Sequence, residues 1–139
     1  MPRILGIDYG ERRIGLAISD PLGIIAQTLP TLDTKKVKDV FDEIKKIVEE
    51  KDVGKIVLGF PRNMDGTTGE RGEKVKEFAN KLKEKIGKEI DFWDERLTSV
   101  ESLKLLREEK RKIKREKKIV DQISAVLILQ GYLDNLAHR

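Results

Sequence analysis

The hydrophobic period of the chain changes once, and that change restricts the fold more than any other feature. Residues 3–29 repeat every two positions. From about residue 35, stretches repeating every three to four positions alternate with short apolar runs. "RILGID" (3–8) reads as a strand. Residues 13–19 read as a second, in which Ile14, Leu16 and Ile18 alternate with Gly15, Ala17 and Ser19, giving two unlike faces. The intervening "YGER" carries a turn glycine. "DPLG" is a turn by composition, and residues 24–29 follow as a third strand. The chain thus opens with an antiparallel meander.

Beyond the meander, Val37, Val40, Phe41, Ile44 and Val48 predict an amphipathic helix over 35–50. "KIVLGF" (55–60) is apolar throughout after Lys55, as expected of a strand covered on both faces. The loop "PRNMDGTTGERG" leads to a helix over 72–85, with Val75, Phe78, Ala79 and Leu82 on one side. "EIDFWDE" (89–95) is the fifth strand. Thr98 to Glu101, "TSVE", has capping-box spacing and opens a further helix. Residues 119–136 form the last, with Ile119, Ile123, Val126, Leu127 and Leu133 on its apolar stripe. A meander followed by alternating helices and strands predicts an α/β domain over 1–139: a mixed five-stranded sheet with helices on both faces, the ribonuclease H-like arrangement.

Composition removes several chemistries. The chain has no cysteine, which excludes disulfides, thiolate zinc sites and thiol nucleophiles. Its one histidine, His138, is next to last, where a terminal residue is a better reading than a base or ligand. No run of 18 apolar residues is present, and the residues before Asp8 are too few and too polar for a signal peptide. A soluble cytoplasmic protein is expected. The net charge of +4 is compatible with a polyanionic partner without requiring one.

Three places hold acids in unusual company. Asp8 ends the first strand, beside Gly10, Arg12 and Arg13. Asp94 and Glu95 end the fifth. Asp121 sits early in the last helix, among Ile119, Val120 and Ile123. Each has a plainer reading: an acid at a helix N-terminus complements the macrodipole, and an acidic pair at a strand end suits a turn. Together they suggest more, because ligands of α/β sheets bind at the carboxyl ends of strands. Converging carboxylates without His or Cys suit a hard divalent cation, Mg²⁺ or Mn²⁺. Two such ions about 3.5–4 Å apart can activate water and stabilise the leaving oxygen of a phosphodiester.

The stretches "GIDYGERRIGLAISD", "VLGFPRNMDGTTGERGEKVKEFANKL", "DERLTS" and "VDQISAVLILQGYL" together resemble the YqgF/RuvX family of ribonuclease H-like nucleases, over nearly the whole chain. The resemblance implies a metal-dependent phosphodiesterase and a role in maturing the 5′ end of the 16S ribosomal RNA precursor. Similarity to RuvC resolvases implies, as the alternative, cleavage of Holliday junctions. The family's acids fall on Asp8, on the "DER" stretch and on Asp121. Consecutive strand residues face opposite sides, so Glu95 is preferred over Asp94 as the metal ligand, with Asp94 orienting a neighbouring arginine.

"REEKRKIKREKK" (107–118) holds eight Lys or Arg against three Glu. Such runs are commonly solvated faces, but this one lies just before Asp121, where Lys112, Lys114 and Arg115 are candidates for phosphate. Arg12, Arg13, Arg62 and Arg96 flank the motifs and suit the same task. Aromatics are scarce and Trp93 reads as core, so recognition through backbone and shape is expected. A resolvase acting on branched DNA should be a two-fold dimer. No exposed apolar stripe is evident for that, and a monomer or weak homodimer is expected. A non-cleaving RNA-binding assembly factor has no use for converged carboxylates, and an actin-like ATPase needs a second domain.

Overall fold

The computed structural model describes residues 2–61, 69–94 and 117–137, with the side chains of 117–121 set aside. The elements are β1 (Arg3–Asp8), β2 (Arg13–Ser19), β3 (Ala26–Asp33), α1 (Val40–Glu50), β4 (Val53–Phe60), α2 (Gly69–Ile86), β5 (Glu89–Asp94) and α3 (Lys117–Ala137). One sheet runs in the order β3-β2-β1-β4-β5. The pairs β1–β2 and β2–β3 are antiparallel, whereas β1–β4 and β4–β5 are parallel. This is the mixed five-stranded sheet that the period change predicts.

Two boundaries differ from expectation for reasons of local hydrogen bonding. The third strand begins at Ala26 and runs to Asp33 because the preceding residues are consumed by a turn. The Asp20 carboxylate accepts from the Ile24 and Ile25 amides, and Gly23 takes φ +72°. Leu22, Ile24 and Ile25 are consequently exposed at the hairpin tip, a short apolar patch in place of strand core. The first helix starts at Val40, leaving Val37 outside it. Asp39 is extended and accepts from the Phe41 amide, which caps the helix there. Upstream, the Asp33 carbonyl takes the Lys36 and Val37 amides.

Strand alternation sorts the sheet into two faces. Leu5, Ile7, Ile14, Leu16, Ile18, Ile56, Leu58 and Phe60 pack against Ile44 and Val48 of α1 and Val75, Phe78 and Leu82 of α2. Burying one such aliphatic side chain contributes about 1.5–3 kcal/mol. The other face meets only α3 among the described helices, through smaller residues. Ala17 and Ala26 pack on Ala125, Leu129 and Leu133, while Val57 and Trp93 pack on Ile128 and Tyr132. At Gly6 the helix comes so close that an added Cβ would lie 2.7 Å from the Leu129 Cβ. Trp93 is buried, as its strand position predicts.

The buried stripe of α3 is therefore Ala125, Ile128, Leu129, Tyr132 and Leu133. Of the predicted stripe, Leu133 belongs to it and Val126 packs against it half-buried, whereas Ile123 and Leu127 are only half-buried and the Ile119 side chain lies outside the described residues. The helix is apolar on more than one side, so period alone does not identify the face. Close approach selects the side that offers Ala125 and Gly131. Polar ties then fix α3 at both edges. Gln130 accepts from the Ala26 amide and donates to the Ile24 carbonyl. The Tyr132 hydroxyl donates to Asp91 at 2.5 Å, and the Lys55 ammonium lies 3.2 Å from that hydroxyl and 3.3 Å from Asp91. Burial, followed by the bond to Asp91, pushes the Tyr132 hydroxyl pKa up. No helix among the described residues is long and apolar enough to cross a membrane.

Candidate active site

Asp8 is the last residue of β1, and its side chain is 15% exposed. Ile4 packs with α3, and Gly6 abuts Leu129, so alternation sets Asp8 on that same face. Its partner across β2 is Gly15. On β4, the step after the Ile7–Leu58 pair is Gly59. Neither cross-strand neighbour brings a side chain against the carboxylate.

The loop after Asp8 is held from several sides. Gly10 has no room for a side chain, since an added Cβ would lie 2.5 Å from the Arg13 carbonyl oxygen. The Thr34 amide donates to the Arg12 carbonyl, and the Thr34 hydroxyl donates to the Glu11 carbonyl. Arg12 pairs with the buried carboxylate of Asp33 at 3.0 Å. The Lys35 amide and then Arg12 hold the Asp33 carboxyl below the usual aspartate range. Arg12 is thus anchored on one side by Asp33, with 46% of its side chain exposed. Arg13, the other predicted phosphate ligand here, opens β2 opposite Asp33.

On the far side of this loop stands α2. Tyr9 packs its ring on Phe78 at 4.3 Å, and burial raises the Tyr9 hydroxyl pKa. Lys74 pairs with Glu11 and lies 3.7 Å from Glu70. Arg71 extends back over the strand end, with Nη2 3.8 Å from Asp8 Oδ1. Tyr9, Gly10, Glu11, Glu70, Arg71 and Lys74 line a cleft of about 350 Å³. Sequence reasoning missed Arg71, although it lies in the loop-to-helix stretch after β4. Starting the helix at 72 made it a loop residue; the helix starts at Gly69, with φ +63°.

The remaining acids are placed in part. Along β5, Asp91 bonds to Tyr132, and Trp93 packs on α3, so odd positions share the face of Asp8. Asp94 is paired in register with Phe60 of the opposite core and falls on the other face. Asp121 lies in α3 one turn before Ala125, whose carbonyl oxygen adjoins Gly6. Further along α3, Gln130 reaches Ile24 and Ala26 at the other end of the sheet. The N-terminal turns of α3 therefore point toward the Asp8 end. Glu95, Arg62, Arg96, Lys112, Lys114, Arg115 and the capping box at 98–101 lie outside the described residues. Among the described residues no three metal-ligating side chains converge.

A five-stranded mixed sheet in this order, with helices on both faces, is the ribonuclease H-like fold. Superposition agrees. A solved structure of T. thermophilus RuvC with a Holliday junction substrate matches with TM-score 0.61 at 10% identity, covering 98% of this chain and 96% of that one. The Fowlpox virus resolvase with Holliday junction DNA matches at 0.56 and 10% identity, covering 96% and 98%. At such identities the fold alone is shared. The chain belongs to the RuvX family, whose model, described as "Holliday junction resolvase", matches residues 2–135. Relatives named "Putative pre-16S rRNA nuclease" are similar over their whole length. The one from Clostridium tetani is 50% identical over 137 residues, 99% of each chain. That from Clostridium novyi is 49% identical over 134 residues, 96% of this chain and 99% of its own.

Proposed function

We propose that this protein is a metal-dependent endonuclease that hydrolyses phosphodiester bonds of structured nucleic acid, with the 5′ end of the 16S ribosomal RNA precursor as its substrate. The position of Asp8 carries the reading. It is a largely buried carboxylate at the carboxyl end of β1, on the face of α3, flanked by Gly15 and Gly59 and met by a cation at 3.8 Å. The guanidinium beside it is a positive charge that this carboxylate already meets, and neither glycine brings a side chain to the position an ion would take.

Asp8, Glu95 and Asp121 would hold the metal. Glu95 is the next odd position after Asp91 and Trp93, which favours it over Asp94. Asp121 is one helical turn ahead of Ala125, the spacing that stacks side chains along one side of a helix. All three donors are hard oxygens, matched to Mg²⁺ or Mn²⁺. Two bound ions would supply an activated water and neutralise charge on the leaving oxygen. The chain's own residues orient and bind the nucleic acid. Arg12, Arg13, Arg62, Arg96, Lys112, Lys114 and Arg115 meet its phosphates, and Asp94 orients a neighbouring arginine. The RNA substrate is supported by the names of full-length relatives near 50% identity.

The second reading, a junction resolvase in DNA, is favoured by the family description. Cleavage by purified protein in Mg²⁺ or Mn²⁺ separates the two, comparing a precursor carrying the 16S 5′ leader with a four-way DNA junction. Faster cleavage of the RNA, at a defined 5′ position, is expected. Symmetric cutting of the junction with the RNA left intact would transfer the assignment to DNA. Binding of RNA without cutting in either metal would favour an assembly factor.

A further inference from the structure

Two cations line the cleft beside Asp8, and they are held very differently. Lys74 is matched by the carboxylates of Glu11 and Glu70. It spends its charge tying α2 to the β1–β2 loop. Arg71 reaches Asp8 by one long contact, 3.8 Å, and its own side chain is 62% exposed. A solvated pair of that geometry contributes little to stability. Its placement is nonetheless specific. Gly72 and Val75 bury the adjoining turn of α2, Tyr9 stacks on Phe78, and Lys74 clamps Glu11. The base of Arg71 is fixed while its guanidinium stays free to turn at the cleft mouth.

We propose that Arg71 is a resident counter-charge of Asp8 that a divalent cation displaces, and that the displaced guanidinium then takes a backbone phosphate of the nucleic acid next to the site. The inference rests on the metal-dependent reading above. A doubly charged ion at about 2.0–2.6 Å from a carboxylate oxygen attracts it far more strongly than a single charge at 3.8 Å, so the exchange runs in the ion's favour. Because α2 is anchored, the released fork cannot leave the neighbourhood of Asp8. Glu11 and Glu70 of the same cleft are paired with Lys74, and a backbone phosphate entering with the nucleic acid can receive the fork in two parallel hydrogen bonds. Metal loading and grip on the nucleic acid thereby become one linked event. By linkage, each should strengthen the other by the same factor. Arg71 is a substrate-binding residue in this scheme.

The test uses full-length wild type, Arg71→Met and Asp8→Asn, with Ca²⁺ as a probe that takes the same oxygen ligands. Calorimetric Ca²⁺ titration without RNA should show Arg71→Met binding about two- to fivefold more tightly than wild type, the range of an exposed pair. The salt dependence of RNA binding is then measured with and without Ca²⁺. With Ca²⁺, the wild-type log–log slope should exceed that of Arg71→Met by about 0.7–0.9, one phosphate contact. Without Ca²⁺ the two slopes should coincide. A general field effect of the lost charge would tighten Ca²⁺ but leave the slopes alike in both conditions, and would overturn the exchange. A slope difference of equal size with and without Ca²⁺ would also overturn it, since Arg71 would then hold phosphate permanently. Unchanged Ca²⁺ affinity in Arg71→Met, with Asp8→Asn binding lost, would sink the exchange alone. Ca²⁺ binding by Asp8→Asn equal to wild type would remove the metal site itself, and the exchange with it.

Discussion

The two faces of the sheet are packed by opposite rules. Toward α1 and α2, large aliphatic side chains fill the space, and fifteen buried residues among those described form one cluster. Toward α3, glycine and alanine bring the helix close, and polar ties at both edges lock it in place. Asp8 lies on the second face. Beside a close-packed helix and two glycines, it can meet charged groups from α2 and, by the proposed reading, from β5 and α3. The first face holds the fold together, and the second positions the chemistry.

If the second face hosts the metal, changes along β5 should follow strand parity. Glu95→Gln should lower cleavage by about a thousandfold or more, the several kcal/mol a metal supplies to the transition state. Asp94→Asn should be far milder. Single-turnover cleavage at saturating RNA decides between them. An inactive Asp94→Asn beside an active Glu95→Gln would mean that a bulge shifts the parity.

Stability and activity should separate between the faces. Leu58→Ala, in the fully buried α1/α2 core, should cost about 2–5 kcal/mol in urea unfolding. Cleavage per folded molecule should stay near wild type. Gly6→Ala should cost less, about 1–3 kcal/mol, yet reduce cleavage more. Its Cβ would press on Leu129 and move α3, which carries Asp121. Equal activity losses in the two variants would erase the distinction.

The smallest effect belongs to Asp33, which anchors the loop after Asp8. Its carboxyl pKa lies below that of an unfolded aspartate, held there by the Lys35 amide and Arg12. The stabilisation is therefore present above the unfolded pKa of about 3.9 and lost as pH falls through the lower, folded value. Asp33→Asn should flatten the acid limb of a thermal-melt pH profile and leave little pH dependence from this site above about 5. A mutant profile as steep as wild type below pH 4 would assign the acid sensitivity elsewhere.

The same contrast explains what the sequence could and could not disclose. The large core was legible, since Leu5, Ile7, Leu16, Ile56 and Leu58 repeat with strand period and Ile44, Val48, Val75 and Phe78 with helix period. The sheet-facing side of α3 was not. It is chosen by how closely Ala125 and Gly131 allow approach, a property that hydropathy does not register. Asp8 stood out as an acid at the tip of an apolar strand. Arg71 did not, because its meaning depends on α2 beginning early enough to turn it back over β1. The pairing of Arg12 with Asp33, distant in sequence, could be found only in the folded chain.

The central claim, that Asp8 is a metal ligand of a nuclease site, is tested most directly by the Mg²⁺- or Mn²⁺-dependent cleavage rate of Asp8→Asn. The substitution keeps the side-chain shape and removes the charge that holds the ion. Circular dichroism and urea midpoint should remain close to wild type, because the solvated pair with Arg71 contributes little to stability. Cleavage of the precursor RNA should vanish at every metal concentration used. A folded Asp8→Asn that cleaves at the wild-type rate, from preparations free of contaminating nuclease, would contradict the account.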